Sequence, residues 1–335
     1  MSGCVFSNNS RSVDCQVKLT VCIPVRNMVD TIERAVLSAV KAVANYPAEI
    51  LIIDNASTDG TDRIIEKYED KEQHRVRAIY NKRNIGFCGN FISCINNSRG
   101  ELITFIGGDD ILLSEVIQVA ENIMSNDSVV MGDASIRVFY GDESAARIVD
   151  FGKENMIYKN NGRGEIETWW ANSAFDALPG WIVKRSNAIK YIDKIPRESI
   201  IPQVHLAFML MHDGYAIHQP VVIAHQRISD DPSQLANLLY RSASTIEERI
   251  DLIKTIERPH CRFLLRDLLE RSIALYPGYK SYSGNAMVCK AFWISISSCL
   301  GRWSVVYEVL IVAVVLAVPR CVLSRLLKWF RAYRK

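Results

Sequence analysis

The sequence contains no CxxC pair. Its 9 cysteines (Cys4, Cys15, Cys22, Cys88, Cys94, Cys261, Cys289, Cys299 and Cys321) are odd in number and lack pairing rhythm, which argues against a disulfide framework and against a zinc site. Several lie in apolar stretches, where a free thiol acts as a small hydrophobe. Charge of one sign is also scarce. The 40 Lys and Arg face 37 Asp and Glu, a net of +3, so no global basic field points to a nucleic-acid partner. Residues Met1 to Asp14 are polar and lack the apolar core of a secretory signal. Together with the cysteine pattern, this makes a reducing cytoplasm the expected compartment. No internal repeat and no low-complexity tract is found. What is present is 49% hydrophobic over 335 residues. That is too apolar for a disordered chain, and it suits a catalytic domain of about 220–260 residues with an appendage.

Leu19 to Val25 is a short apolar run bounded by polar residues and containing Pro24, which reads as a buried strand. Asp30 then opens a helix with Glu33 at capping-box spacing, and Ile32, Ala35, Val36, Ala39, Val40 and Val43 follow at helical intervals. Glu49 to Asp54 is a second strand, Thr61 to Tyr68 a helix and Val76 to Tyr80 a third strand. Phe87, Phe91, Ile92 and Ile95 mark another helix, closed by Gly100. Leu102 to Ile106 is a fourth strand without polar alternation, as expected when both sheet faces are covered. This order predicts an α/β fold with a doubly wound, mostly parallel sheet and flanking helices, in which ligands bind beyond the carboxyl ends of the strands. The polar residues directly after the strands are therefore the candidates: Arg26 and Asn27, Asp54 and Asn55, Asn84, and Asp109 and Asp110.

After Ser128 the pattern changes. Ile136 to Tyr140 and Arg147 to Phe151 read as a hairpin around Gly141-Asp142. Trp169 to Phe175 is a short helix, Gly180 to Lys184 a strand, Pro202 to His212 a helix and Tyr215 to Ala224 a strand; from Leu235 onward the chain reads as helical.

Asp109 and Asp110 end a buried strand side by side. Their repulsion is costly unless a cation neutralises it, and a divalent ion bridging a diphosphate supplies that charge through oxygen ligands. The same pair also suits a helix N-cap, with Asp110 capping a helix from about Leu112.

The blocks LTVCIPVRN, ILIIDNASTDGT, NKRNIGFCGN and GELITFIGGDD resemble, in order and spacing, the signature blocks of family 2 glycosyltransferases, enzymes of the GT-A fold. The resemblance covers roughly the first 110 residues. It implies transfer of a sugar from a nucleotide-sugar donor with inversion, a DxD-type site for Mn²⁺ or Mg²⁺ at Asp109 and Asp110, and donor contacts from Pro24, Arg26, Asn27, Asp54, Asn55, Asn84, Gly86 and Asp109; beyond its reach, Arg227 follows a strand and is expected to close over the donor diphosphate. Many relatives carry Tyr where Arg26 stands and Asp where Asn55 stands. An arginine can stack on a pyrimidine and an amide can pair with its edge, while Asn55 also suits a plain turn in Asn-Ala-Ser-Thr. Gly107 occupies the place of the first Asp of the usual DxD, so metal ligation falls to Asp109 and Asp110, and the glycines permit close backbone approach to the donor.

Family 2 enzymes place an acidic base near the start of a late helix, and that place falls near Gln203-Val204-His205, where no carboxylate stands. IIPQVHLAFML resembles a histidine-bearing block of bacterial surface-polysaccharide transferases of the abequosyltransferase-like type. His205 is chemically suited to deprotonate an acceptor hydroxyl; it equally suits a buried helix position. Asp176 is the rival base. Trp169, Trp170 and Trp181 suit either a platform for a sugar face or the core, and Asp230-Asp231 stand near Arg227. The resulting division is a polar extension (1–16), a catalytic domain (17–232, with a nucleotide-sugar half 17–127 and an acceptor half 128–232), a helical extension (233–302) and a membrane-associating region (303–335). A sugar-nucleotide pyrophosphorylase is disfavoured, because no Gly-rich, Arg-containing loop follows the first strand. A transferase acting directly on a polyprenyl phosphate and a catalytically silent nucleotide-sugar binding protein remain as alternatives.

Val305 to Val318 is apolar except for Glu308 and falls short of the roughly 20 residues that span a bilayer. A basic amphipathic stretch follows Pro319, with Leu323, Leu326, Leu327 and Phe330 on one face and Arg325, Lys328 and Arg331 on others. It suits attachment to the cytoplasmic face of a membrane and a lipid-linked oligosaccharide acceptor; a helix buried in the protein fits the same run. Deleting Arg320 to Lys335 should release much of the protein from membrane fractions, most visibly at raised salt, because the basic face is screened. Unchanged partition after that deletion would leave the tail without this role.

Overall fold

β1 (Leu19–Val25) is buried at every position, because it lies between two parallel neighbours with helices on both faces. It pairs with β2 (Ala48–Asp54) on one side and β4 (Leu102–Phe105) on the other, and β3 (Val76–Tyr80) extends the sheet beyond β2. The register sets Val25 opposite Asp54 and Asp54 opposite Tyr80, so the loops after these strands leave from one edge. The computed structural model describes residues 16–72, 75–140, 147–149, 156–159, 177–228 and 248.

Two apolar layers hold the sheet. On one face lie α1 (Ile32–Ala42), α2 (Thr61–Lys71) and α4 (Val116–Met124), which contribute Ile32, Val36, Ile65, Val116 and Ile123. On the other lie α3 (Gly86–Asn97) and α6 (Pro202–Leu210), whose buried residues surround a stack of Phe91, Phe105 and Trp181. The Phe91 and Phe105 rings are 4.6 Å apart and Phe105 and Trp181 5.6 Å apart. Trp181 is therefore a core residue, 1% exposed, and not part of a sugar platform; Trp169 and Trp170 lie outside the described residues.

The sheet departs from the mostly parallel expectation. Its remaining strands are β5 (Ile111–Leu112), β6 (Val129–Tyr140), β7 (Arg147–Val149), β8 (Met156–Lys159), β9 (Trp181–Lys184) and β10 (Tyr215–Ile228), and α5 (Arg185–Ala188) follows β9. The order is β3-β2-β1-β4-β9-β6-β10-β5, with β7 on β6 and β8 on β10. β3, β2, β1 and β4 are parallel, as is the β6/β10 pair. β9 inserts antiparallel to both β4 and β6, and β5, β7 and β8 also pair antiparallel. The unbroken run of parallel neighbours ends at β4, where β9 pairs antiparallel. The expected hairpin around residues 141–142 is present as the β6/β7 pair. The short helix expected at Trp169 to Phe175 and the helices expected from Leu235 onward lie outside the described residues.

Three local signals resolve differently from their sequence reading. The capping box does not form: α1 starts after Thr31 with no side-chain cap, and Glu33 accepts hydrogen bonds from Lys67 (3.0 Å) and the Tyr68 hydroxyl (2.8 Å). Gly100 does not close α3, which ends at Asn97. A Cβ at Gly100 would lie 2.5 Å from the Thr20 backbone nitrogen, so glycine is required by close chain approach. Asp110 caps no helix, since β5 follows it and α4 begins only at Val116. Among the described residues no helix is long and apolar enough to cross a membrane.

At the amino ends of the parallel strands a buried network joins three of them. Glu49 accepts from the Thr20 hydroxyl (2.9 Å), the Arg99 backbone N–H (2.7 Å) and the Arg77 guanidinium (3.0 and 3.2 Å). Removing one partner of a buried pair typically costs about 3–5 kcal/mol. The Arg77 side chain is 25% exposed, which places the expected loss for Glu49→Ala lower, at about 2–3 kcal/mol. Urea unfolding should report it as a lower midpoint, and an unchanged midpoint would show that water replaces the network at no cost.

Candidate active site

The loops after β1 and β2 are laced together by backbone N–H groups. Asn27 N–H donates to the Ser57 hydroxyl (2.9 Å), Met28 N–H to the Thr61 hydroxyl (2.8 Å) and Val29 N–H to Asp59 (3.0 Å). In return, the Asn27 carbonyl oxygen of the side chain accepts the Thr58 N–H at 2.9 Å. Asn27 and Ala56 take positive φ values of 52° and 57°, and Asn is among the residues that tolerate this region. The Asp54 carboxylate is buried and accepts both the N–H and the hydroxyl of Ser57. Burial raises the Asp59 carboxyl, but hydrogen bonds from Thr61 and from the Val29 N–H outweigh it and hold the group below its ordinary range. The Asn-Ala-Ser-Thr-Asp-Gly-Thr block thus shapes the first loop, and leaves Arg26 exposed at its tip.

Asn55 is 4% exposed, and its carboxamide is spent inside the chain. Its Nδ2 donates to the Asn84 side-chain oxygen (2.9 Å) and to the Gly86 carbonyl (3.1 Å), while its Oδ1 accepts the Ile85 N–H (2.9 Å). Asn84 also accepts the Gly86 N–H at 2.9 Å. Asn81 reaches both Asn55 and Asn90, and Asn90 donates to the Ile53 carbonyl (3.0 Å). The Asn55 carboxamide thus holds the 81–86 loop, with two bonds donated by Nδ2 and two accepted by Oδ1. Gly86, with φ of 78°, starts α3 where a side chain would be strained. Pro24 is buried within β1, one residue before the Val25 carbonyl that accepts the Asn55 N–H at 2.9 Å.

The fourth loop carries the two carboxylates. Asp110 is 3% exposed and accepts the Gly107 N–H (2.7 Å) through Oδ2 and the Arg227 N–H (3.1 Å) through Oδ1. A Cβ placed on Gly107 would lie 2.9 Å from Asp110 Oδ2 and 3.0 Å from Asp109 Oδ1. Both carboxylates therefore converge on space that glycine keeps clear. Gly108 is pressed against Val25 and Met28, where a Cβ would come within 3.0 Å of Val25 Cγ2. Burial, and then the charge of Asp109, push the Asp110 carboxyl up to about 7. Burial raises Asp109 too, against the pull of the Arg227 and Arg34 guanidinium groups. Two converging oxygen donors that resist ionisation together suit a hard divalent cation. Among the described residues no third Asp, Glu, His or Cys joins them.

Residues 20–191, half of the chain, match the family described as Glycosyl transferase family 2. The chain belongs to glycosyl transferase family 2. Its mixed sheet with flanking helices is like that of GT-A glycosyltransferases. Among its relatives are an uncharacterized glycosyltransferase, MG060, of Mycoplasma genitalium (35% identity, 31% of this chain and 36% of that one) and the abequosyltransferase RfbV of Salmonella typhimurium (27% identity, 32% and 33%). The chain spans about a third of the length of these relatives. In fold it is similar to S. aureus TarS 1-349, solved in complex with UDP-GlcNAc, with a TM-score of 0.61, 16% identity and coverage of 84% and 81%.

In the second half of the chain, His205 lies in the first turn of α6, 8% exposed. Its Nε2 is 2.8 Å from Glu248 Oε1. Glu248 also accepts the Ile200 N–H (3.2 Å) and the Ser199 hydroxyl. Burial pushes the Cys88 thiol up to about 11, opposed by Arg197 and reinforced by Glu248 and Glu198. The pair is therefore near the first turn of α3, two residues beyond Gly86. Asp176, the rival base, and Asp230-Asp231 lie outside the described residues. Sequence reasoning missed Arg34, Asn81 and Glu248. Arg34 projects from α1, donates to the Asp109 carbonyl (3.2 Å) and lies over the Phe139 ring at 5.5 Å; nothing in helical periodicity marks it. Asn81 had a signal, since it opens the asparagine-rich block that ends at Asn90.

The carboxylate pair has a consequence for stability. A folded-state pKa raised above the unfolded value of about 3.9 means that the fold prefers the neutral acid, so stability falls as pH rises through about 7. In EDTA at pH 8, Asp109→Asn should therefore stabilise the chain by about 1–2 kcal/mol, or roughly 2–6 °C in Tm. A lower Tm for the variant under those conditions would show that the pair is not under repulsion.

Proposed function

We propose that this glycosyltransferase moves a sugar from a nucleoside-diphosphate donor to a hydroxyl of a lipid-linked saccharide, in the assembly of a surface polysaccharide of the O-antigen kind. The observation that carries the donor half is the convergence of Asp109 and Asp110 over Gly107, beside the Arg227 and Arg34 guanidinium groups. Asp109 and Asp110 would hold Mn²⁺ or Mg²⁺. Such an ion, when bound, neutralises charge on the departing diphosphate. The nucleoside end of the donor lies along the loops after β1, β2 and β3, where Arg26 is exposed to stack on a base and Asn27, Asp54, Asn55, Asn84 and Gly86 set the loop shapes. Arg227 and Arg34 add fixed positive charge on the diphosphate side.

His205 is the proposed base. It removes the proton of the acceptor hydroxyl as the oxygen bonds to the anomeric carbon and the bond from that carbon to the diphosphate oxygen breaks. Attack from the face opposite the leaving group inverts the centre. The acceptor reading is supported by the likeness to an abequosyltransferase and by the apolar run and basic tail of residues 303–335, which lie outside the described residues. The work is placed at the cytoplasmic face of a membrane, where such a tail would rest.

The donor reading is tested by thermal shift with a panel of UDP-, GDP-, CDP- and dTDP-sugars, with Mn²⁺ or with EDTA. One donor class, at about 100 times its Kd, should stabilise the chain by about 2.7 kcal/mol, and only with the metal. Asp110→Asn should lose that response. Stabilisation by a nucleotide that persists in EDTA and in Asp110→Asn would overturn the assignment of the carboxylates. A metal-dependent response without any turnover, even by slow hydrolysis of the donor, would favour a silent binding protein.

A further inference from the structure

The first turn of α6 holds His205 where an acidic base is expected, and the fold returns a carboxylate to that place from a distant part of the chain. Glu248 is 43 residues downstream, and its Oε1 lies 2.8 Å from His205 Nε2. Its other oxygen, Oε2, accepts the Ile200 N–H at 3.2 Å, one residue before the Ile201 N-cap of a helix that has no side-chain cap of its own. The Ser199 hydroxyl adds a further bond. Glu248 is thus held by three groups on the α6 entry, and its position is set independently of any acceptor. The side chains of His205 and Glu248 are 11% and 18% exposed, so water competes little for these bonds.

An ionised carboxylate offers lone pairs only. The imidazole nitrogen facing it must therefore carry the hydrogen, and a neutral ring then has its lone pair on the other nitrogen. Burial alone would raise the Glu248 carboxyl, but the bonds from His205, Ser199 and Ile200 together outweigh it and keep the group below its ordinary range. The partner is an anion at neutral pH. Charged groups near the pair include Arg197 and Glu198, both of which act on the neighbouring Cys88 thiol.

We infer that Glu248 is a positioning residue for the transfer: its carboxylate holds His205 as the Nε2–H tautomer and leaves Nδ1 to accept the acceptor proton. This rests on the reading of His205 as the base. In the step, the acceptor O–H bond breaks and its proton passes to Nδ1. The oxygen's electron pair forms the bond to the anomeric carbon, and the pair of the broken carbon–oxygen bond leaves with the nucleoside diphosphate. The imidazolium that results stands beside the Glu248 anion, so charge is balanced where it forms, and the proton is then lost to water. A carboxylate at the usual helix position would do the work of a base alone; here the histidine takes the proton and the carboxylate orients it.

The test uses the full chain and its Glu248→Gln, Glu248→Ala and His205→Ala variants, with kcat, donor KM and Tm measured on each. Nitrogen NMR of the ¹⁵N-histidine-labelled wild type reads the tautomer of His205 directly, assigned by its absence in His205→Ala. We expect the Nε2–H tautomer in the wild type. Turnover should fall about 10-fold in Glu248→Gln and about 10²-fold in Glu248→Ala, with donor KM unchanged and with no further loss when either change is added to His205→Ala. A Glu248→Asp variant should recover part of the activity lost in Glu248→Ala. If His205→Ala is inactive while Glu248→Ala turns over normally, the Glu248 inference fails and the base reading stands. If His205→Ala is folded and fully active, the base reading fails and takes this inference with it. If Glu248→Ala does not fold, the wild-type tautomer and the isosteric Glu248→Gln still decide, and an Nδ1–H tautomer in the wild type overturns the inference.

Discussion

The Asp110 carboxylate accepts one backbone N–H from Gly107, in its own loop, and one from Arg227, 117 residues away on β10. Together with the β5/β10 pairing it ties these distant parts of the chain to each other at the candidate site. It fixes the end of the parallel half of the sheet against the last long strand of the mixed half. It also delivers the Arg227 side chain to the neighbourhood of Asp109. The geometry exacts a cost. Asp110 is buried and Asp109 half-buried beside it, with only partial compensation by Arg34 and Arg227, and both carboxyls resist ionisation. A fold that keeps such a pair forgoes stability that a neutral pair would provide, which is the usual relation between a preorganised anion site and its scaffold.

The remaining loops show the same division between residues that touch and residues that hold. The β1 loop is pinned by Ser57, Asp59 and Thr61, and the β3 loop by Asn55, Asn81 and Asn84. These side chains are polar and sit at strand ends, so by position alone they look like ligand contacts. Their hydrogen bonds are nevertheless largely internal. Backbone N–H groups in irregular loops need partners, and short polar side chains supply them without bulk. Asn55 illustrates the point: an aspartate there could accept the Ile85 N–H but could not donate to Asn84 and the Gly86 carbonyl. The amide fits the loop that this chain has, while Arg26 stays exposed at the tip of the first loop.

What was legible in the sequence follows the physics of each element. Strands β1 to β4 were readable because fully buried parallel strands are continuous apolar runs, and their carboxyl ends pointed at once to Asp54, Asn55, Asn84, Asp109 and Asp110. The mixed half was not, because β9 enters between β4 and β6 through pairing that no local pattern announces. Capping was misread at Asp30, where Glu33 found stronger partners on α2. Gly100 was misassigned because close backbone approach and helix termination call for the same residue. Trp181 was ambiguous from composition alone and became a core residue through its stack with Phe105 and Phe91. Arg34 and Glu248 act across the fold and left no trace in spacing.

Glu248 shows why a missing motif residue is weak ground for calling an enzyme inactive. The expected acidic position on α6 is occupied by Gln203-Val204-His205, and read along the chain this is a loss. In three dimensions the carboxylate is present, contributed by another segment and bonded to the histidine at 2.8 Å. What proton transfer needs is a lone pair of suitable basicity held in place, and this can be met by one residue or divided between two. Division has a structural consequence. A lone acid at a helix start is oriented by its own helix, whereas a histidine there needs a second group to choose between its two nitrogens. The same carboxylate takes up the Ile200 N–H at the entry to α6 through its other oxygen, so the group proposed to select the tautomer also secures the helix that carries the ring. The proposed chemistry and the fold would then be coupled through one side chain, as the Asp110 carboxylate couples two distant loops.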